Sequence, residues 1–163
     1  MTRPEDKLKT LDEVGGICRG WRQEGLSVVL VNGAFDVLHV GHLRYLAAAR
    51  AHGDRLVVAV NSDRSVKLSK GELRPIIPEA ERVEILSHLW MVDRICLFDD
   101  ETVAPVLEML RPRVHAKGTD YTIDTVPERE VVTAYGGQTE ICGDPKDHAT
   151  TDLIGIILDR FGP

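Results

Sequence analysis

A buried apolar run that breaks at a glycine and restarts as a helix headed by two histidines constrains this chain more than any other feature. Residues 27–31 are a serine followed by β-branched and leucine residues, which read as a fully buried strand. Asn32 and Gly33 end it, since glycine adopts backbone angles that cost other residues energy. Residues 42–50 are rich in alanine and leucine and favour helix. His39 then falls in the strand-to-helix loop and His42 in the helix's first turn, where free N–H groups and partial positive charge favour phosphate. Side chains three apart at a helix start turn the same way, so the two imidazoles can converge on one anion. Gly41 between them leaves room for a phosphate to approach the backbone.

The rest of the chain is consistent with an α/β protein built around that unit. Residues 55–61 form a second apolar run without alternation, as in parallel sheets covered on both faces. Shorter runs at 93–98, 113–116 and 138–142 give three more strands, the last expected parallel to the others. Helices are expected between them: from 42 to 52, closed by Gly53, a short one from Asp63 through Val66, and others opening at Pro78 and spanning 102–110, 127–135 and 153–158. Val83, Leu86 and Trp90, with Ile85 and Leu89, are expected to bury the face of the helix that opens at Pro78. Asp99, Asp100 and Glu101 are expected to cap the helix that follows them, and Thr150 or Thr151 the last one. Alternating strands and helices imply a Rossmann-like, doubly wound sheet of about five parallel strands with helices on both faces.

At 163 residues the chain suits a single domain over 1–163. Within it residues 1–25 read as a helical segment on the sheet edge, interrupted at Gly15-Gly16. A formal net charge of −6 argues against a broad nucleic-acid footprint and points to a small phosphorylated partner in a local basic pocket. Cys18, Cys96 and Cys142 are odd in number and lack CxxC spacing, so neither a disulfide framework nor a zinc site is indicated. Free thiols, a charged N-terminus and the lack of an apolar run near ~20 residues fit a cytoplasmic protein with no membrane partner. Lys67, Lys70 and Arg74 read as lying in a Gly- and Pro-punctuated loop, 69–78. There they are either phosphate ligands at the carboxyl end of the sheet or a solvated charged loop. No GxGxxG fingerprint is present, which counts against an NAD-dependent oxidoreductase.

Gly33-x-Phe35-Asp36-x-x-His39-x-Gly41-His42 resembles the GxFDxxHxGH motif of the cytidylyltransferase-like nucleotidyltransferases, and it follows the first strand as it does there. A lone HxxH is more often structural, but the whole motif in register after a buried run reverses that reading. Lys70, Arg74-Pro75-Ile76 and the Pro78-to-Arg82 spacing resemble the heptose-phosphate branch of that family, as does Lys117-Gly118-Thr119-Asp120-Tyr121. Thr150-Thr151 with Ile154 is similar to its last motif. His148-Ala149 departs from that motif, since a basic residue followed by serine is expected there.

The resemblance implies that His39, His42 and Lys70 are catalytic. It implies that Asn32, Gly33, Ala34, Phe35, Asp36, Gly41, Lys117, Gly118, Asp120, Thr150 and Thr151 bind nucleotide. Substrate contacts are implied for Asp36, Lys67, Arg74 and Arg82, with Mg²⁺ carried mainly by the nucleotide phosphates. The activity implied is transfer of AMP from ATP to a sugar 1-phosphate, best D-glycero-β-D-manno-heptose 1-phosphate, with release of pyrophosphate. Alternatives are CTP with glycerol 3-phosphate or another small phosphate ester, a non-catalytic nucleotide sensor, and a purely structural subunit. The resemblance also implies a homodimer and a separate sugar kinase upstream.

Overall fold

The computed structural model describes residues 2–145 and 149–162. Five strands form one parallel sheet: β1 (Val28–Gly33), β2 (Arg55–Asn61), β3 (Arg94–Phe98), β4 (Val114–Gly118) and β5 (Gln138–Cys142). Their order across the sheet is β3-β2-β1-β4-β5. The chain builds outward from β1 to β3, returns, and continues from the other side of β1. The carboxyl ends of β1 and β4 therefore flank the switch point, where open α/β sheets bind ligands.

Alternation along β1 explains the two layers. Val29 and Val31 face one side, with Leu46 and Ala49 of α2 (Val40–Arg50) and Val83 and Leu86 of α4 (Glu79–Ser87). Val28 and Leu30 face the other. There they meet Val14 and Cys18 of α1 (Leu11–Gln23), Val106, Leu107 and Leu110 of α5 (Ala104–Leu110), and Val132 of α6 (Arg129–Ala134). Helices after the outward steps cover one face and those after the return cover the other, as right-handed crossovers require.

Several local expectations change. The α1 helix runs unbroken through Gly15-Gly16; Thr10 and Glu13 close a capping box, at 3.3 Å from the Glu13 N–H and 2.8 Å from the Thr10 N–H. Its apolar stripe lies on a sheet face, while the residues before it reach the edge, with Leu8 bridging Ile95 of β3. The α2 helix ends at Arg50, and Gly53 serves the next turn, since a Cβ there would meet Val29 Cγ2 at 2.8 Å. The α3 helix (Asp63–Lys70) extends a full turn past Val66, capped by Ser62. Lys67 and Lys70 are thus helical, and only Arg74 lies in the loop. Trp90 is 68% exposed and Ile85 40%, so the buried stripe of α4 is Val83 and Leu86 with Arg82.

Asp99 does not cap α5, whose N-cap is Val103; its carboxylate instead takes Ser62 Oγ and Arg64. The last helix, α7 (Thr150–Phe161), is longer than its apolar run and is capped at Ala149 without a side-chain bond. It leaves Ile156, Ile157, Leu158 and Phe161 exposed. The three cysteines are free and buried. Among the described residues no helix is long and apolar enough to cross a membrane.

Candidate active site

The loop from β1 to α2 is set by two residues in the left-handed region, Phe35 (φ 51) and Val37 (φ 52). For a β-branched valine this conformation costs about 1–2 kcal/mol, so the packing around it holds it there. The turn leaves His39 as N-cap of α2. Its Nδ1 accepts from the Gly41 N–H at 3.2 Å, and His42 Nδ1 accepts from the His39 N–H at 3.3 Å. A nitrogen that accepts carries no proton, so each neutral ring holds its hydrogen on Nε2. The rings stand 4.0 Å apart, with Phe35 5.6 Å from His42. Burial first, then His39 and Lys70, push the His42 pKa down to about 4, so the ring is neutral at pH 7. One backbone turn thus fixes two imidazoles as N–H donors.

Those rings line a cavity of about 430 Å³ at the switch point. Around it the structure gathers Asn32, Gly33, Ala34, Phe35, Asp36, His39, Gly41, His42, Lys70, Arg74, Lys117, Gly118, Asp120, Thr150 and Thr151. Of the residues singled out from sequence, Lys67 and Arg82 do not line it. Lys67 lies one turn back on α3 from Lys70. Arg82 has a fully buried side chain. Its guanidinium donates to Ala34 O, to Ile77 O at 3.0 Å and to Asp63 Oδ1 at 2.8 Å, tying the histidine loop to the starts of α3 and α4. That geometry positions the loop rather than presenting a cation to the cavity. His148 lies outside the described residues.

Asp36 lines the cavity, yet its carboxylate is engaged: Arg74 Nε donates at 2.7 Å and the Ile76 and Ile77 N–H groups at 2.9 Å each. Burial alone raises this carboxyl's pKa; the two amides and Arg74 outweigh it and hold it below the usual carboxylate value. Thr150 Oγ1 donates to the Asp36 main-chain oxygen at 2.8 Å. The threonine expected to cap α7 docks the helix start on the histidine loop instead.

Across the switch point, Lys117 at the end of β4 lies 3.8 Å from Glu128 and 4.6 Å over the Tyr121 ring. Burial lowers its pKa, opposed by Glu128 and Asp120. Its Nζ also stands 3.5 Å from Asn32 Oδ1.

The wall also contains Arg44, Gly143 and Asp144, which sequence reading missed. Thr119 Oγ1 donates to Asp144 O at 2.7 Å, and Arg44 pairs with Asp144 at 2.9 Å, joining the β4 and β5 loops to α2. Gly143 (φ 99) lets the chain pass Tyr45 closely, where a Cβ would sit 3.4 Å from its Cα. A Gly-Asp-Pro turn just past β5 was the available signal, since loops at carboxyl ends of parallel strands line such sites.

Comparison with known proteins shows the family. A family model described as cytidylyltransferase-like matches residues 30–156. The chain is 46% identical over 156 residues to the Bifunctional protein HldE of Geobacter sulfurreducens, covering 96% of this chain and 32% of that protein. It therefore spans about a third of the length of the curated relatives it matches. The crystal structure of a lipopolysaccharide core biosynthesis protein from Thermoplasma volcanium superposes with a TM-score of 0.63 at 29% identity, covering 74% of this chain and all of that one. A pantoate-beta-alanine ligase from Francisella tularensis shares the fold alone, at a TM-score of 0.62 and 14% identity over 91% of this chain and 75% of the other. With the motif loop, the switch-point cavity and the family model all falling on the same residues, the chain belongs to the cytidylyltransferase-like family.

Proposed function

We propose that this chain is an adenylyltransferase that joins AMP from ATP to a sugar 1-phosphate, best D-glycero-β-D-manno-heptose 1-phosphate, giving ADP-heptose and pyrophosphate. The observation that carries this reading is the pair of Nε2–H donors fixed at the start of α2, inside the cavity at the β1/β4 switch point. A phosphate oxygen of the sugar phosphate attacks the α-phosphorus. The bond from that phosphorus to the bridging oxygen breaks, and pyrophosphate leaves with the electron pair. The nucleophile is already an anion, so no covalent enzyme intermediate is needed; positioning and charge stabilisation remain.

His39 and His42 donate to the α/β-phosphates and the forming pyrophosphate, the helix N-terminus adds its N–H groups, and Lys70 and Arg74 supply positive charge. Among the described residues no group of three or more His, Cys, Asp or Glu is placed to hold a metal ion, and the Asp36 carboxylate is already engaged. Mg²⁺ would enter with the nucleotide, held mainly by its phosphates, and would supply neutralisation of their charge. The heptose assignment is supported by Arg74-Pro75-Ile76 and Lys117–Tyr121, and by the likeness to a lipopolysaccharide core biosynthesis protein. A homodimer belongs to the same proposal.

The test is pyrophosphate release with Mg²⁺, pairing ATP or CTP with heptose 1-phosphate, glycerol 3-phosphate or ethanolamine phosphate. Turnover with ATP and the heptose alone, with ADP-heptose found by mass, supports the proposal. Turnover only with CTP contradicts the adenylyl assignment and leaves the histidine chemistry standing. Tight nucleotide binding without release for every pair makes the protein a sensor.

A further inference from the structure

We propose that His115 is a positioning residue of this site: its Nε2–H, acting with Lys117, locks the Asn32 side-chain amide so that Nδ2 is presented to the bound nucleotide as a donor. The ligand named here rests on the function proposed above.

His115 lies on β4 between Val114 and Ala116 and is fully buried. Asn32 is two residues past Leu30, which pairs with His115 in the sheet register, and both side chains turn to the α1/α5/α6 face. His115 Nε2 stands 3.0 Å from Asn32 Oδ1, and Lys117 Nζ stands 3.5 Å from the same oxygen. An ammonium has only hydrogens to offer, so the amide atom it faces is the oxygen, and that settles which way round the amide sits. The oxygen can only accept, so His115 Nε2 carries the proton.

The ring is held neutral, burial and Lys117 pushing its pKa down to about 3. Its Nδ1 is therefore a bare lone pair, buried with no hydrogen-bond partner among the described residues. A leucine at this position would leave no polar atom stranded. What the imidazole adds is one oriented N–H on the amide of a cavity-lining residue. With Oδ1 fixed from behind, Nδ2 is the end left for the ligand, and the cavity floor discriminates in favour of acceptor oxygens.

The test combines equilibrium ATP binding, steady-state kinetics and NMR. His115→Leu raises the nucleotide Kd about tenfold, the expected effect of one misaligned hydrogen bond, with kcat within about threefold. His115→Gln, whose Nε2 can donate to the same oxygen, restores binding to within about threefold of the parent. Asn32→Ala combined with His115→Leu binds no more weakly than Asn32→Ala alone, since the histidine acts through the amide. Wild-type affinity in His115→Leu, or a further loss in the double variant, overturns the proposal.

A long-range ¹H–¹⁵N spectrum of the parent protein needs neither a folded variant nor a ligand. It shows a protonated Nε2 and a bare Nδ1; the opposite tautomer, or a charged ring at pH 7, also overturns the proposal. Parent protein that binds ATP but releases no pyrophosphate refutes the proposed reaction and leaves these readouts intact.

Discussion

At the scale of single residues, the donors follow from where two backbone N–H groups point. Because the His39 and Gly41 amides hold the two Nδ1 atoms, glutamine in place of His39 retains a donor, while alanine removes both donor and N-cap. His39→Ala is therefore expected to lose about 1 kcal/mol of stability, read by urea unfolding, beyond its catalytic defect. His39→Gln should retain part of the activity. The histidine motif was legible because it is local, spanning ten residues. Arg82 was not, because its partners lie up to 48 residues away and spacing alone does not reveal them. Arg82→Met leaves the Ala34 and Ile77 carbonyls unpaired beside a partly exposed Asp63. A loss of about 2–4 kcal/mol is expected, below the full value for a wholly buried pair. Denaturant midpoints check it, and an unchanged midpoint would refute the bracing role.

At the scale of elements, the strands were readable because an unbroken β-branched run buried on both faces has few alternatives. The helices were read less well where tertiary packing overrides local signals. Gly15-Gly16 does not break α1, because that face packs closely on α5; a Cβ at Gly15 would meet Met109 at 3.5 Å. Gly16 is exposed, and the nearest atom to a Cβ there is an arginine tip at 3.8 Å. Gly16→Ala should accordingly stabilise the protein by about 0.5–1 kcal/mol through helix propensity, seen as a higher melting temperature. The last turn of α3 was missed because its side chains are polar or exposed and leave no apolar period to read. Thr150 illustrates the same limit. A threonine before an apolar run reads as a cap, and only the fold shows that it reaches Asp36 instead.

At the scale of the whole molecule, the sheet order explains why residues more than eighty positions apart share one floor: β1 and β4 are neighbours only because the chain returns past its first strand. That order was not legible, since alternating strands and helices fit more than one permutation. It also buries ionisable rings. The pKa values of His42 and His115 lie near 4 and 3 in the fold against 6.5 when exposed. Between pH 6.5 and about 4 the unfolded chain then binds more protons than the folded one. Stability must fall as pH falls through that window, by at most about 1.4 kcal/mol per pH unit for each histidine. Urea midpoints at pH 7.5, 6 and 5 measure this, and His115→Leu should flatten the slope. The central claim is that the two imidazoles at the start of α2, as Nε2–H donors, stabilise the charge that develops as pyrophosphate leaves. Single-turnover pyrophosphate release from ATP and heptose 1-phosphate by the parent protein, His39→Ala and His42→Ala, with ATP affinity measured alongside, tests it most directly. Each variant should slow release about 10²–10³-fold while ATP affinity changes less than about tenfold; release at the parent rate in either variant would contradict it.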